Sequence, residues 1–417
     1  MKHYDLIVAG GGMAGVSSAI CAAREGLSVL LIEKEGCFGG AMSNSLVFPF
    51  MPYWSGNKAK GNWRLICGGI FEEMMKKQEE MTGKEFTELE PEIFKLVLDE
   101  LFVQSGADVL FHAMLHKVET EGEKVKKVTV ATKTGTMDFE ADFFIDATGD
   151  GDLFYLAGCE FLLGRPSDNL CQPMTTCFRM SGVDIERYKR EEEVIHKKYK
   201  EYQKMGKITC PREDIMAFYG IGEGILHLNT TRIIKLDPTN PEDVSKAEID
   251  ARRQVGELVK FFKEASGAFK NATLINVAST IGVRESRKLV GLYVLSGEDL
   301  KEQIEFEDTV AIGNYEIDIH DPNGGGTSHY FFADDEHYRI PYRSLVAKEF
   351  KNLLVAGRCI STTHEAQAAI RIMPTCACLG QAAGIAASIA KKDGSDTHSL
   401  DISKLRQRLL DTKAILE

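Results

Sequence analysis

Apolar positions at the start of the chain fall into two short unbroken runs, residues 4–9 and 27–32, with small residues at helical spacing over 16–25 between them. Short apolar runs bounded by turn signals read as strands buried on both faces, and the stretch between them reads as a helix. Gly10-Gly11-Gly12-Met13-Ala14-Gly15 forms the junction, and the second run ends on Glu33. This order has a physical logic. Gly10 allows the tight turn, Gly12 lets the backbone approach a pyrophosphate, and Gly15 permits close packing of helix on strand. The helix N-terminus, with Met13 and Ala14, then offers unpaired N–H groups and a positive dipole end to phosphates. Glu33, eighteen residues past Gly15, is placed to accept ribose hydroxyls. The competing reading is a turn that merely happens to be rich in glycine; the flanking strand, helix and acid argue for a dinucleotide site.

Beyond Glu33 the pattern loosens. Residues 34–43 keep Gly39 and Gly40 close together and end on Ser43, so the backbone can lie against a bulky cofactor, with Lys34 and Ser43 in reach of it. An ordinary surface loop is the alternative. Residues 109–111, 125–130 and 137–144 then predict a small β-meander with turns at Gly122 and Gly135. It closes on Ile145-Asp146-Ala147-Thr148-Gly149-Asp150-Gly151, where small residues suit a backbone passing near a cofactor.

In the middle of the chain, charged amphipathic stretches at 184–205 and 242–265 predict helices flanking apolar runs at 173–180 and 224–231. The charge runs at 187–200 and 260–263 read as solvated helix faces. The expected organisation is a cofactor domain in two parts, 1–152 and 273–417, interrupted by a substrate lobe at 153–272. A second strand–glycine turn–helix unit is missing, so a separate NAD(P)H domain is not expected.

Composition narrows the class. With 44% apolar and 27% charged residues, the 417-residue chain reads as an ordinary soluble protein with room for two cores. A net charge of −12 argues against nucleic acid or an anionic membrane surface as partner. The ten cysteines show no C-x-x-C pair and no iron–sulfur run, which argues against disulfide-reductase chemistry and fits a reducing cytoplasm. The first strand begins at about residue 4, leaving no room for a signal peptide, and no apolar stretch is expected to reach the ~20 residues of a membrane span. No metal site is expected.

Towards the C-terminus, residues 353–357 run Leu-Leu-Val-Ala-Gly before Arg358, followed by His364, Arg371 and a helix opening at Pro374 with Gly380 and Gln381 inside it. Pro374 suits a first helical turn. The small residues after it can pack against a flat ring, or equally against a neighbouring helix. Together with the N-terminal turn, Glu33, Gly39-Gly40, residues 147–150 and Ile281-Gly282-Val283-Arg284-Glu285-Ser286-Arg287, this pattern resembles the bacterial FAD-dependent oxidoreductases. That family includes the flavin-binding part of heterodisulfide reductase, within the glutathione-reductase-like superfamily. The resemblance implies an α/β, doubly wound Rossmann-like FAD domain with an inserted α+β substrate lobe, and FAD as cofactor. In the wider superfamily this strand usually ends in Gly-Asp, where this chain has Gly357-Arg358, so the resemblance makes Arg358 a candidate pyrophosphate ligand.

Flavin chemistry needs a substrate held beside the ring, a group to move a proton and often a cation for substrate oxygens. His364 is the acid–base candidate, with a structural histidine as the alternative. Arg284 and Arg287, three apart, are expected to share one helical turn and bind an anionic substrate or the FAD phosphates, unless they pair with Glu285. Arg371 is a similar candidate. His329 and Arg339 flank a polar segment, 321–336, that suits a lid. Cys376 and Cys378 are placed to line the flavin or simply to fill space. The expected activity is hydride transfer between a small organic substrate, anions included, and the flavin, with an electron-transfer flavoprotein serving a redox partner as the rival.

Overall fold

A computed structural model describes residues 2–417. The N-terminal pattern folds as its periodicity dictates: β1 (Lys2–Ala9), α1 (Met13–Arg24) and β2 (Val29–Ile32). Helices α2 (Ile70–Thr82) and α3 (Pro91–Ser105) precede β3 (Asp108–Leu110). The meander is β4 (Met114–Glu121), β5 (Lys124–Thr132) and β6 (Gly135–Asp146).

Strands β3, β2, β1 and β6 lie side by side in that order, all parallel. The far edge of β6 is shared. Its first half pairs antiparallel with β5, while residues 144–146 pair in parallel with a strand from the far end of the chain, Leu353–Val355. This is an α/β, Rossmann-type sheet whose last parallel strand arrives more than 200 residues after its neighbour. Everything between must leave the sheet and return.

The excursion builds a second lobe. Strand β7 (Phe178–Ser181), helix α4 (Ile185–Lys204), β8 (Ala217–Phe218), β9 (Leu226–Leu228), helix α5 (Pro241–Ala265) and β10 (Thr273–Val277) form an antiparallel sheet, order β8-β9-β7-β10, with two long helices. Phe178, Met180, Leu226 and Leu228 on one face pack with Val255, Leu258 and Phe262 into a core of the lobe's own. Because β10 belongs to this sheet, the second lobe's sheet crosses the boundary expected at residue 273. A hairpin of β11 (Ile317–His320) and β12 (Thr327–Tyr330) stands where the polar lid was expected. His329 is in its second strand, bonded to Glu316 at 2.8 Å, and Arg339 lies in a buried strand, paired with Glu305 at 3.3 Å.

The chain then returns through β13 (Leu353–Val355) and closes with α6 (His364–Ile370), α7 (Met373–Asp393) and α8 (Ile402–Asp411). Helix α7 corrects one expectation: at 21 residues it is long and apolar enough to span a membrane, yet nearly all of its apolar stretch is buried within the protein. Its small residues explain why. A Cβ on Gly380 would stand 2.1 Å from the Ala14 carbonyl oxygen, and one on Gly384 2.4 Å from that of Ser18. Two helices with small residues four apart thus touch backbone to backbone, and α7 is the core partner of α1.

Candidate functional site

The glycine turn separates residues that serve packing from one that leaves open space. Gly10 has φ +100°, and a Cβ there would lie 2.4 Å from the Ala147 carbonyl oxygen. A Cβ on Gly15 would lie 1.8 Å from the Gly10 oxygen, so both glycines hold the strand ends and helix together. Gly12 differs. A Cβ there would meet nothing nearer than the Gly40 Cα at 3.9 Å, and α1 starts at Gly12 with no side-chain cap. Open space in front of uncapped N–H groups at a helix N-terminus, where Met13 and Ala14 follow, is what a pyrophosphate requires.

The loop after β2 folds onto this turn. Gly39 donates its N–H to the Gly11 carbonyl at 2.9 Å, and a Cβ on Gly40 would sit 2.9 Å from the Gly12 Cα. Ser43 donates to the Phe38 carbonyl at 2.6 Å, so its hydroxyl pins the loop. The buried Glu33 carboxylate accepts from the Gly11 and Glu35 N–H groups. Beside it, Gly10, Glu33, Lys34, Ala113, Thr148 and Asp152 line a pocket at the end of β2.

Three chain segments converge at the other end of the turn. A Cβ on Gly357, φ +93°, would stand 3.0 Å from the Ala14 Cβ and 3.9 Å from Cys376 Sγ, so the N-termini of α1 and α7 meet there. Helix α7 also starts without a side-chain cap, with Pro374 in its first turn. Arg358 crosses over Gly149 to pair with Asp150 at 2.9 Å and donates to Ser286 Oγ at 2.9 Å. Burial pushes the Asp150 carboxyl up, but Arg358 and Lys34 outweigh it and hold it below its ordinary value. Below them Asp146, wholly buried and pushed up to about 6 by burial, gathers the Thr148 and Phe154 N–H groups and fixes the loop after β6.

Gly380 and Gln381 have other work. Gly380 is the helix crossing described above. Gln381 accepts from the Ile70 N–H at 3.0 Å and donates to Thr412 Oγ1 at 2.9 Å, tying the start of α2 to the chain's end. Gln381→Leu is expected to cost about 1–3 kcal/mol by leaving the buried Ile70 donor unpaired, read as a lower denaturant midpoint with cofactor affinity unchanged.

The polar residues beyond the α7 N-terminus form one connected network. His364 opens α6, buried, with Nδ1 2.8 Å from Glu285 Oε2. Glu285, fully buried, also meets Lys288 Nζ at 2.5 Å and accepts from the Gln172 N–H at 3.0 Å. Burial raises the Glu285 carboxyl, yet His364 and Lys288 bring it net below its ordinary value. Gln172 bridges onward to Gln367 and to the His320 N–H, and Gln367 donates to the Arg284 carbonyl at 2.8 Å. Asp318, next to His320, holds Arg371 Nη2 at 3.3 Å. Burial raises Asp318, but His320, Arg371 and Arg284 together drive it well below the carboxylate range.

Arg284 is the unusual member. Its Nη1 donates to the Pro173 carbonyl at 2.7 Å and to Thr175 Oγ1 at 2.5 Å, both neutral acceptors. Burial, then the fields of Arg371 and Arg212, lower it to about 9. Asp318 offsets part of this, and a guanidinium whose hydrogen-bond partners are neutral keeps charge with which to attract an anion.

The structure corrects the expected alignment of Arg284 with Arg287. Residues 278–286 are not helical; Gly282 bridges to Thr175, and Arg287 begins a strand. Arg287 turns the opposite way, to Asp152 at 3.1 Å and over the Tyr155 ring at 4.0 Å. Glu285 pairs with neither arginine; it serves His364 and Lys288. Cys376 Sγ lies 3.4 Å from the Arg371 carbonyl, and Cys378 is in contact with Cys67. Sequence reasoning missed Gln172, Lys288, Asp318 and His320, which reach the site from three different segments, the last two together on β11. The one available signal was polar Gln172 immediately before an apolar run.

A family model described as FAD dependent oxidoreductase matches residues 5–409. A digeranylgeranylglycerophospholipid reductase of Picrophilus torridus is 28% identical over 196 residues, covering 44% of this chain and 48% of the relative. One from Thermoplasma volcanium is 27% identical over 199 residues, covering 45% and 49%. The matched stretches span about half the length of these curated relatives. Among solved structures, a geranylgeranyl bacteriochlorophyll reductase-like protein from Thermoplasma acidophilum aligns over 99% of this chain and 84% of its own, with TM-score 0.50 and 18% identity. With a family model spanning nearly its whole length, and an open glycine turn, uncapped helix and buried acid in the places that the cofactor needs, the chain belongs to the FAD-dependent oxidoreductases.

Proposed function

We propose that the protein exchanges a hydride between its flavin and a small organic anion, with Arg284 and Arg371 holding substrate oxygens and His364 moving the proton. One observation carries the reading: a single hydrogen-bonded network joins His364, Glu285, Gln172, Gln367 and Arg284 just beyond the meeting point of α1, Gly357 and α7.

The residues Gly10, Gly12, Met13, Ala14, Gly15, Glu33, Lys34, Gly39, Gly40, Ala147, Gly149, Asp150, Gly357 and Arg358 surround the places where the FAD nucleotide and pyrophosphate would lie. Bound FAD supplies the two-electron donor or acceptor. Everything else falls to the chain. Glu285 orients the His364 ring through Nδ1, which leaves Nε2 as the atom for proton exchange. Lys288, in contact with the same carboxylate, keeps Glu285 ionised. Arg284 offers its charge to a substrate oxygen, and Arg371 is aimed by Asp318. The relatives' printed names concern geranylgeranyl lipids; here Arg284 and Arg371, both half-buried beside His364, suit a polar anion better than a hydrocarbon chain.

Arg284→Gln is expected to lower the second-order rate of the reaction with an anionic substrate about 10- to 100-fold, the share of one charge-assisted contact. His364→Gln should lower the maximal rate by about 10²–10⁴ with FAD still bound. Anaerobic rapid-mixing absorbance checks both, and unchanged rates in both variants contradict the reading.

A further inference from the structure

The second lobe's sheet has two unlike faces. One is apolar and packs on the lobe's own helices. The strand registers put Phe218, His227, Arg179 and Asn276 side by side across the other: Phe218 opposes His227, which opposes Arg179, which opposes Asn276. This face is turned to the cofactor lobe. Phe48 packs edge-on against His227, ring centroids 5.4 Å apart, and against Phe218 at 6.4 Å.

In this row two side chains are buried without hydrogen-bond partners. Arg179 is 5% exposed and His227 0%; Nε and Nη2 of the arginine, and both ring nitrogens of the histidine, have no partner among the described residues. The nearest carboxylate, Glu92 on α3, is 3.8 Å from Arg179 Nη1 and mostly exposed. Four buried, unpartnered polar atoms on one patch are costly to fold, and such groups persist where a ligand completes them. The segment that enters this strand leads back to the site above. Thr175, which holds Arg284, lies four residues before Arg179, about 13 Å of extended chain. Thr175, Cys177 and Arg179 alternate along it, and both Arg284 and Arg179 act on the Cys177 thiol.

We infer that Arg179 and His227 form a second subsite, which takes the carboxylate of an elongated organic acid whose other, reacting end lies at Arg284. The inference rests on the proposed function and narrows its substrate class. The guanidinium supplies charge and paired donors from Nε and Nη2, the geometry that matches a carboxylate. His227 adds one donor; burial and Arg179 lower it to about 3, so the ring is neutral. Phe48 and Phe218 pack on the His227 ring, and an ionic contact beside such apolar groups is stronger than one in water.

The test uses the FAD-loaded full chain and calorimetric titration with phenylacetate, 4-phenylbutyrate and glutarate, each beside its amide. Wild type should bind at least one acid at least tenfold more tightly than its amide. Arg179→Met should lose that preference while its melting temperature rises, because an unpartnered buried charge has been removed. His227→Phe should weaken acid binding and keep the fold. Arg284→Gln separates the two readings. If it weakens acid binding and Arg179→Met does not, this subsite is wrong and the reaction site stands. If neither variant weakens binding, both readings are wrong. If no acid outcompetes its amide on wild type, the inference is overturned.

Discussion

Replacing Glu285 by leucine is expected to destabilise the protein by about 3–5 kcal/mol and to abolish turnover, the largest effect of any single side chain in the site. Glu285 and Lys288 are 0% and 1% exposed, so removing the carboxylate leaves a buried ammonium with only the Gly164 carbonyl, 3.2 Å away. It also releases His364 from its orienting partner and the Gln172 N–H from its acceptor. Two further variants separate structure from chemistry. Glu285→Leu with Lys288→Met should regain most of the stability, since replacing both partners of a buried pair by apolar groups is close to neutral. Activity should stay low in that double variant, because His364 still lacks its partner. Chemical denaturation and single-turnover rates measured on the same samples check both; restored turnover in the double variant contradicts an orienting role for Glu285.

The second large effect divides the glycine turn. Gly15→Val should yield colourless protein of lowered stability, because even the first added carbon would stand 1.8 Å from the Gly10 carbonyl oxygen. Backbone lies on both sides, so nothing flexible can yield. Gly12→Ala should behave differently. Its Cβ has nothing within 3.9 Å, so the variant should fold with wild-type stability, yet the methyl would occupy the space of the pyrophosphate. FAD affinity should fall about 10- to 100-fold, the worth of a charge-assisted contact. Fluorescence titration of apoprotein with FAD, beside a thermal melt, resolves the two. Equal affinity for FAD in wild type and Gly12→Ala contradicts the assignment of the turn.

The contrast between these experiments mirrors what the chain displays locally. The turn from Gly10 to Glu33 is contiguous, and each part is specified by residues next to it, so it was legible from spacing alone. The returning strand at 353–355 was legible for the same reason: a short apolar run ending on Ala356-Gly357 has few other uses. Helix α7 was harder. Small residues mark a close neighbour without saying whether that neighbour is a ring or another helix, and here Gly380 and Gly384 face α1.

The substrate side was largely hidden. His364, Glu285, Gln172 and His320 come from segments up to about 200 residues apart and meet only because the second lobe folds back. Arg179 sits inside an apolar run whose alternate residues fill two different cores, so the period-two signal that would have exposed it is erased. Arg284 and Arg287 misled for a related reason. Spacing of three implies a shared face only in a helix, and the Thr175–Gly282 bridge keeps this segment extended.

The central claim is that the isolated protein carries out its own redox chemistry on an organic anion. Anaerobic titration of the purified, FAD-loaded chain with a panel of organic acids, followed by the flavin's visible absorbance, tests it most directly. An acid is expected to bleach the oxidised flavin, or to reoxidise the reduced one, with the protein alone, and Arg284→Gln to slow the change. A flavin that responds to no acid, yet is reduced once a partner electron-transfer protein is added, would contradict it.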